Sequence, residues 1–174
     1  MRTLSLLRHA KSAWDNPRLS DFERPLAPRG AAAAPRTGRH MREIGLRPDL
    51  VVCSPAVRTR ETARLALAEL APPAPPVVFD EAIYEARSST LMARLRALDG
   101  GVRHVLMIGH NPGLQSLLLS LAGAGLDGEH AGAAEKFPTA ALAVLDLAID
   151  DWPELRAGCG TLVHFATPRG LPGN

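Results

Sequence analysis

The chain has 174 residues, 46% of them hydrophobic and 22% charged, with a net charge of +2. That length suits one domain with a single substantial core, and no apolar run reaches the ~20 residues of a membrane helix. The small charge, with no aromatic-lined basic patch, argues against a nucleic-acid partner. Cys53 and Cys159 make neither a disulfide framework nor a metal motif. Arg2 is followed by only five residues before Arg8, too few for the apolar part of a signal peptide, so a cytoplasmic protein is expected. Heavy use of Ala, Arg, Pro and Gly suggests a high-GC bacterial genome, which weakens the meaning of any single Arg.

Residues 3–7 are short and apolar and read as a buried strand. The chain leaves it through Arg8, His9, Ala10, Lys11 and Ser12. Residues 13–29 are turn-rich, with Asp15-Asn16-Pro17 and Glu23-Arg24-Pro25-Leu26, and read as a loop over the sheet edge. Loops this long usually serve a function. A helix is expected over 30–44, with Pro35 early in it and Gly45 as its stop. Residues 49–53 are a second buried strand. A helix over 56–70 follows, with Ser54 as N-cap and Pro55 at its first position.

The prolines of 72–76 end that helix, and residues 77–79 form a short third strand. The loop 80–87 carries Asp80, Glu81 and Glu85, and Ser88 or Ser89 caps a helix that ends near Asp99. Residues 102–108 are the clearest strand. They run into Gly109-His110-Asn111-Pro112-Gly113 and a helix over 114–121. Residues 123–136 are rich in Gly and Ala and read as mobile. Two further strands are expected at 139–148 and 161–167, and 168–174 read as a loose tail. His40, His104, His130 and His164 fit no motif and read as surface or packing residues.

Strands alternating with helices predict a three-layer α/β/α sandwich with a mainly parallel central sheet, in a single domain over 1–174. Ligands in such sheets bind outside the carboxyl ends of the strands. The polar clusters after the first, second and fourth strands then share one rim. It collects Arg8, His9, Arg58 and His110, with Glu81 and Glu85 nearby.

Two Arg and two His beside one cleft suit a phosphoryl group, whose charge spreads over its equatorial oxygens in the transition state. Arg supplies planar, bidentate, permanently charged donors. A neutral His with one bare nitrogen can attack phosphorus, while its other nitrogen donates, typically to a backbone carbonyl. These donors supply the charge that Mg²⁺ supplies in kinases, so no metal or other cofactor is expected. Cys53 and Arg58 are separated by four residues. The Cys-loop-Arg of tyrosine phosphatases has one more, and it has a glycine that is missing here.

Leu7-Arg8-His9-Ala10, Ser54-Pro55-Ala56-Val57-Arg58 with Thr62, and Gly109-His110-Asn111-Pro112 resemble the histidine phosphatase superfamily. The match runs in order over nearly the whole chain, and it is closest to the SixA-like phosphohistidine phosphatases, which share an element like Arg24-Pro25-Leu26. The resemblance implies a phosphoglycerate mutase-like fold. It also implies His9 as the nucleophile, Arg8 and Arg58 as phosphate-binding residues, His110 as the second histidine, and Arg24 as a further substrate contact. The Ala10 that follows the nucleophile is often Gly in the superfamily but Ala in the SixA-like branch. For the acid or base, Glu85 is the first choice and Glu81 the second.

The resulting expectation is a metal-independent phosphatase working through a phosphohistidine intermediate on phosphohistidine of a protein. The chain is short of the insertions that cap the site in larger relatives, and imidazole leaves easily once protonated. A phosphatase of small phosphomonoesters and a non-catalytic phosphohistidine-binding module are the alternatives. No nucleic-acid or membrane partner is expected, and nothing in the sequence specifies an oligomeric state.

Overall fold

The computed structural model describes residues 1–123, 126 and 131–172. Six strands form one sheet: β1 (Arg2–Arg8), β2 (Leu50–Cys53), β3 (Val77–Phe79), β4 (His104–Gly109), β5 (Leu142–Leu147) and β6 (Gly160–Ala166). Their order across the sheet is β3-β2-β4-β1-β5-β6. β3, β2, β4 and β1 run parallel, β5 runs antiparallel to β1, and β6 antiparallel to β5. The expected α/β sandwich with a mainly parallel sheet is therefore the observed one. Four carboxyl ends, those of β1 to β4, open on the same rim.

Strand β1 is buried on both faces: Leu4 and Leu6 lie on one side and Leu7 on the other, and the buried Ser5 hydroxyl is satisfied by His104 Nε2 at 2.8 Å. Its even residues, Leu4 and Leu6, join Val105, Met107 and Leu145 on one side. There they meet Leu91 and Leu95 of α3 (Ser88–Arg96) and Leu114, Leu117, Leu118 and Leu121 of α4 (Gly113–Ala122). On the other side Leu7, Val51, Cys53, Leu106 and Ile108 pack with Met41 of α1 (Pro28–Glu43) and Ala63 and Ala66 of α2 (Val57–Leu67). A short α5 (Ala131–Glu135) precedes β5.

Several local readings differ from the sequence expectations. Pro28, not Pro35, takes the N-terminal position of α1. Pro35 lies inside the helix, where its missing N–H leaves the Ala31 carbonyl without its usual partner. Gly45 does end the helix, with φ +74 and its N–H on the Arg42 carbonyl, while Leu46 N–H reaches Met41. Arg87 occupies the N-cap of α3 without a side-chain bond, so neither Ser88 nor Ser89 caps it. The loop 13–29 is held to the start of α2, with Val57 N–H on the Phe22 carbonyl and Leu26 N–H on Glu61 Oε2 at 2.7 Å.

The segment read as a loose tail is held down as far as residue 172. Arg36 Nη2 donates to the carbonyls of Pro168 (2.9 Å) and Leu171 (2.7 Å), and Leu171 is buried. Of the stretch read as mobile, 131–135 are helical, while His130 lies outside the described residues. No helix among the described residues is long and apolar enough to cross a membrane.

Candidate active site

Arg8 is the last residue of β1 and His9 follows it; His110 follows β4; Ser54 follows β2 and leads into α2 with Arg58. Parallel pairing of Arg8 with Gly109 and of Cys53 with Ile108 sets these strand ends level. His9 and His110 then face each other with ring centroids 5.3 Å apart.

His9 is 7% exposed, and its Nδ1–H donates to the Ala10 carbonyl at 2.7 Å. That bond fixes the tautomer and leaves Nε2 as the basic nitrogen, with no hydrogen bond to any described residue. Burial, and then the charges of Arg58 and Arg8, lower its pKa to about 4, against the opposing pull of the Ala10 bond and Asp21. His9 is therefore neutral at neutral pH. The backbone around it is pinned by Thr62: Ala10 N–H donates to Thr62 Oγ1 at 3.0 Å, and that hydroxyl donates to the Arg58 carbonyl at 2.7 Å.

His110 is held at both nitrogens. Arg58 Nη2 donates to Nδ1 at 3.2 Å; a guanidinium only donates, so the proton sits on Nε2, which donates to Ser54 Oγ at 2.7 Å. Ser54 is thus a partner of His110 and not the helix cap that the sequence suggests; Ala56 holds the N-cap position. Burial first, then the neighbouring His9 and Arg58, push the His110 pKa down to about 3.

Arg58 is 4% exposed and needs counter-charge at that burial. The loop 13–29 supplies it. Arg58 donates to the Asp21 carbonyl at 2.6 Å and to Asp21 Oδ2 at 2.9 Å, and Glu85 Oε1 lies 3.7 Å away. Tyr84 hydroxyl donates to the same Asp21 oxygen at 2.6 Å, and its ring stands edge-on to His110 at 5.4 Å. Burial and the Asp21 carboxylate raise the Tyr84 pKa to about 12, so it stays a donor. Arg8 reaches across to the Phe137 carbonyl at 3.1 Å, and the charge of Arg58 adds to burial in lowering its proton affinity.

A sequence profile of the histidine phosphatase superfamily (branch 1) matches residues 4–89. A candidate phosphohistidine phosphatase SixA from Agrobacterium tumefaciens is 32% identical, with 96% of this chain and 98% of that chain covered at a TM-score of 0.81. The chain belongs to the histidine phosphatase superfamily. Its likeness within the superfamily is to the SixA-like branch. A second candidate SixA, from Nakamurella multipartitia, is 26% identical over 96% of both chains at a TM-score of 0.83. An uncharacterized protein of Mycobacterium tuberculosis is 36% identical over 167 residues, 94% of this chain and 100% of the relative.

Of the histidine phosphatase residues expected from the sequence, Arg8, His9, Arg58 and His110 converge. Glu85 also reaches the cluster, through Arg58. It sits at φ +48, a left-handed conformation rare for Glu. The next residue explains how it is kept there: the Ala86 carbonyl rests on Gly113, where a Cβ would approach it to 2.1 Å. Gly113 opens α4 just beyond His110, so the Glu85 loop and the His110 turn are wedged together. Glu81 instead begins a short 3-10 turn and is exposed, with no bond to the cluster among the described residues.

Arg24 stands one step back, 3.9 Å from Asp21 Oδ1 and stacked over the Trp14 ring at 3.9 Å. Asp21, Tyr84 and Ser54 are the site groups that sequence reasoning missed. Only Ser54, which opens the second motif, carried a local signal. Among the described residues, no group of three or more His, Cys, Asp or Glu side chains is placed to hold a metal ion.

Proposed function

We propose that the protein is a metal-independent phosphatase that transfers phosphate from phosphohistidine on a protein to His9 and then to water. In the first step His9 Nε2 bonds to phosphorus as the bond from phosphorus to the substrate nitrogen breaks, and the departing imidazole takes a proton from solvent. In the second step water attacks phosphorus and gives up a proton to solvent, the P–Nε2 bond breaks, and inorganic phosphate leaves. Arg8 and Arg58 hold the phosphoryl oxygens throughout, and their fixed charge matches the equatorial charge of the transition state. When Arg58 turns to the phosphoryl dianion its bond to His110 Nδ1 is released; the charge of the dianion then favours a proton from solvent on that nitrogen, and Nδ1–H donates to a phosphoryl oxygen.

The observation that carries this reading is the His9 Nδ1 bond to the Ala10 carbonyl at 2.7 Å in a ring whose pKa is about 4. It presents a neutral ring with a bare Nε2 under the positive charges of Arg58 and Arg8. A protein-borne phosphohistidine fits the family likeness and a leaving group that asks little of a general acid. One observation favours a second reading: Glu85 Oε1 lies 3.7 Å from Arg58, which puts a second carboxyl group beside the phosphate-binding guanidinium, where general acid–base catalysis of ester cleavage would need one. That would suit a small phosphomonoester.

A substrate panel with and without EDTA separates the two. Phosphohistidine peptides should turn over fastest, and EDTA should leave the rate unchanged. Faster turnover of small phosphomonoesters contradicts the substrate assignment, and EDTA inactivation reversed by one divalent ion contradicts the mechanism.

A further inference from the structure

We infer that Asp21 is a positioning residue that holds Arg58 in register for the phosphoryl group and occupies its charge when the site is empty, thereby setting how tightly product phosphate is retained. This rests on the phosphatase reading above. Arg58 is almost fully buried, and a guanidinium so placed needs anionic partners. Asp21 gives it two acceptors of different kinds, a backbone carbonyl at 2.6 Å and a carboxylate oxygen at 2.9 Å. Glu85, the other carboxylate nearby, is farther at 3.7 Å and more exposed.

Asp21 is itself held in place. Tyr84 hydroxyl donates to Oδ2 at 2.6 Å, and Arg24 lies 3.9 Å from Oδ1. Burial would raise the Asp21 pKa, but the bonds from Tyr84 and Arg58 outweigh it and hold the carboxyl below its usual range. It is ionised at neutral pH and has no proton to give as an acid. Its negative charge therefore stands beside the residue that must grip a dianion. The site is balanced between Arg58 bound to Asp21 and Arg58 bound to phosphate. Such a balance weakens substrate and product alike and favours release of the product.

Two substitutions separate charge from position. Asp21→Asn keeps an amide oxygen for Arg58 and Tyr84 and leaves the backbone carbonyl in place, so it removes charge with little loss of geometry. Asp21→Ala removes the side-chain anchor as well. Inorganic phosphate is the probe, measured by calorimetry and as a competitive inhibitor, with thermal unfolding to show that both variants fold.

Asp21→Asn should bind phosphate about three- to tenfold more tightly than wild type, as expected for removing one partly screened like charge. Its KM should fall in step. Asp21→Ala should lose about tenfold or more in kcat relative to Asp21→Asn. Unchanged or weaker phosphate binding by Asp21→Asn, with a wild type that binds phosphate, overturns the inference alone, as does a wild-type kcat in Asp21→Ala. A wild type that releases phosphate from none of the phosphorylated substrates overturns the phosphatase reading and this inference with it.

Discussion

Among the described residues two pairs of histidines lie close together, and they differ in what surrounds them. His9 and His110 have ring centroids 5.3 Å apart, and His40 of α1 and His164 of β6 have centroids 5.0 Å apart. In the second pair the rings bond to each other, Nε2 to Nε2 at 2.8 Å, with Glu43 at 3.9 Å from His40 Nδ1. That contact ties a helix to an edge strand and uses the very nitrogens that chemistry would need. In the first pair no ring bonds the other. His110 is tied at one nitrogen to Ser54 and at the other to Arg58, while His9 is tied at Nδ1 to a backbone carbonyl and keeps Nε2 open. Proximity of two imidazoles thus says little; the partner at each nitrogen separates a structural pair from a reactive one.

The comparison breaks most sharply at His9. His9→Ala should abolish turnover, with residual rates at least about 10³-fold below wild type. Thermal unfolding should change little, because the ring lies at a strand end and packs against polar groups. A steady-state assay alongside a melting curve checks both. Next comes Arg58→Ala, which removes a transition-state donor and should cost about 10²-fold in kcat. The loss should be similar for phosphohistidine and phosphomonoester substrates, since both present the same phosphoryl oxygens.

The two rings should also show themselves in the pH dependence of stability. In the folded protein His9 has a pKa of about 4 and His110 of about 3, against 6.5 for a free histidine. As pH falls below about 6.5 the unfolded chain takes up protons that the folded site refuses, so stability is full above 6.5 and is lost toward pH 4 and below. The unfolding temperature should fall over that window, and His9→Ala should flatten part of the slope. The smallest effect is expected at the other pair. His40→Asn should change kcat/KM less than about twofold, because it touches only the α1–β6 contact. A large loss there would erase the distinction between the pairs.

Much of this was readable in the sequence. Short, largely apolar runs, unbroken at 50–53 and 105–108 and interrupted by Ser5 at 3–7, mark the buried strands, and the polar residue just past each run must emerge at the carboxyl rim. Arg8, His9 and His110 are placed by that logic alone. Arg58 is harder, because it sits among Arg60 and Arg64. Only helical spacing from Ser54 turns it inward, while Arg60 lies over the Phe79 ring and Arg64 is exposed. Asp21 was not legible: an aperiodic loop gives no register, and its path is set by backbone bonds to α2 that no pattern announces. Ser54 misled for a related reason. Ser before Pro at a helix start favours capping, but here a buried imidazole offers its hydroxyl a better partner.

The most direct test of the account is to catch phosphate on the enzyme. Wild-type protein mixed with a phosphohistidine peptide, quenched in alkali within one turnover and digested without acid, should carry phosphate on His9 when read by mass spectrometry. The label should vanish on the timescale of turnover as free phosphate appears. An active enzyme that carries no phosphate at His9 during turnover, or carries it on another residue, contradicts the account.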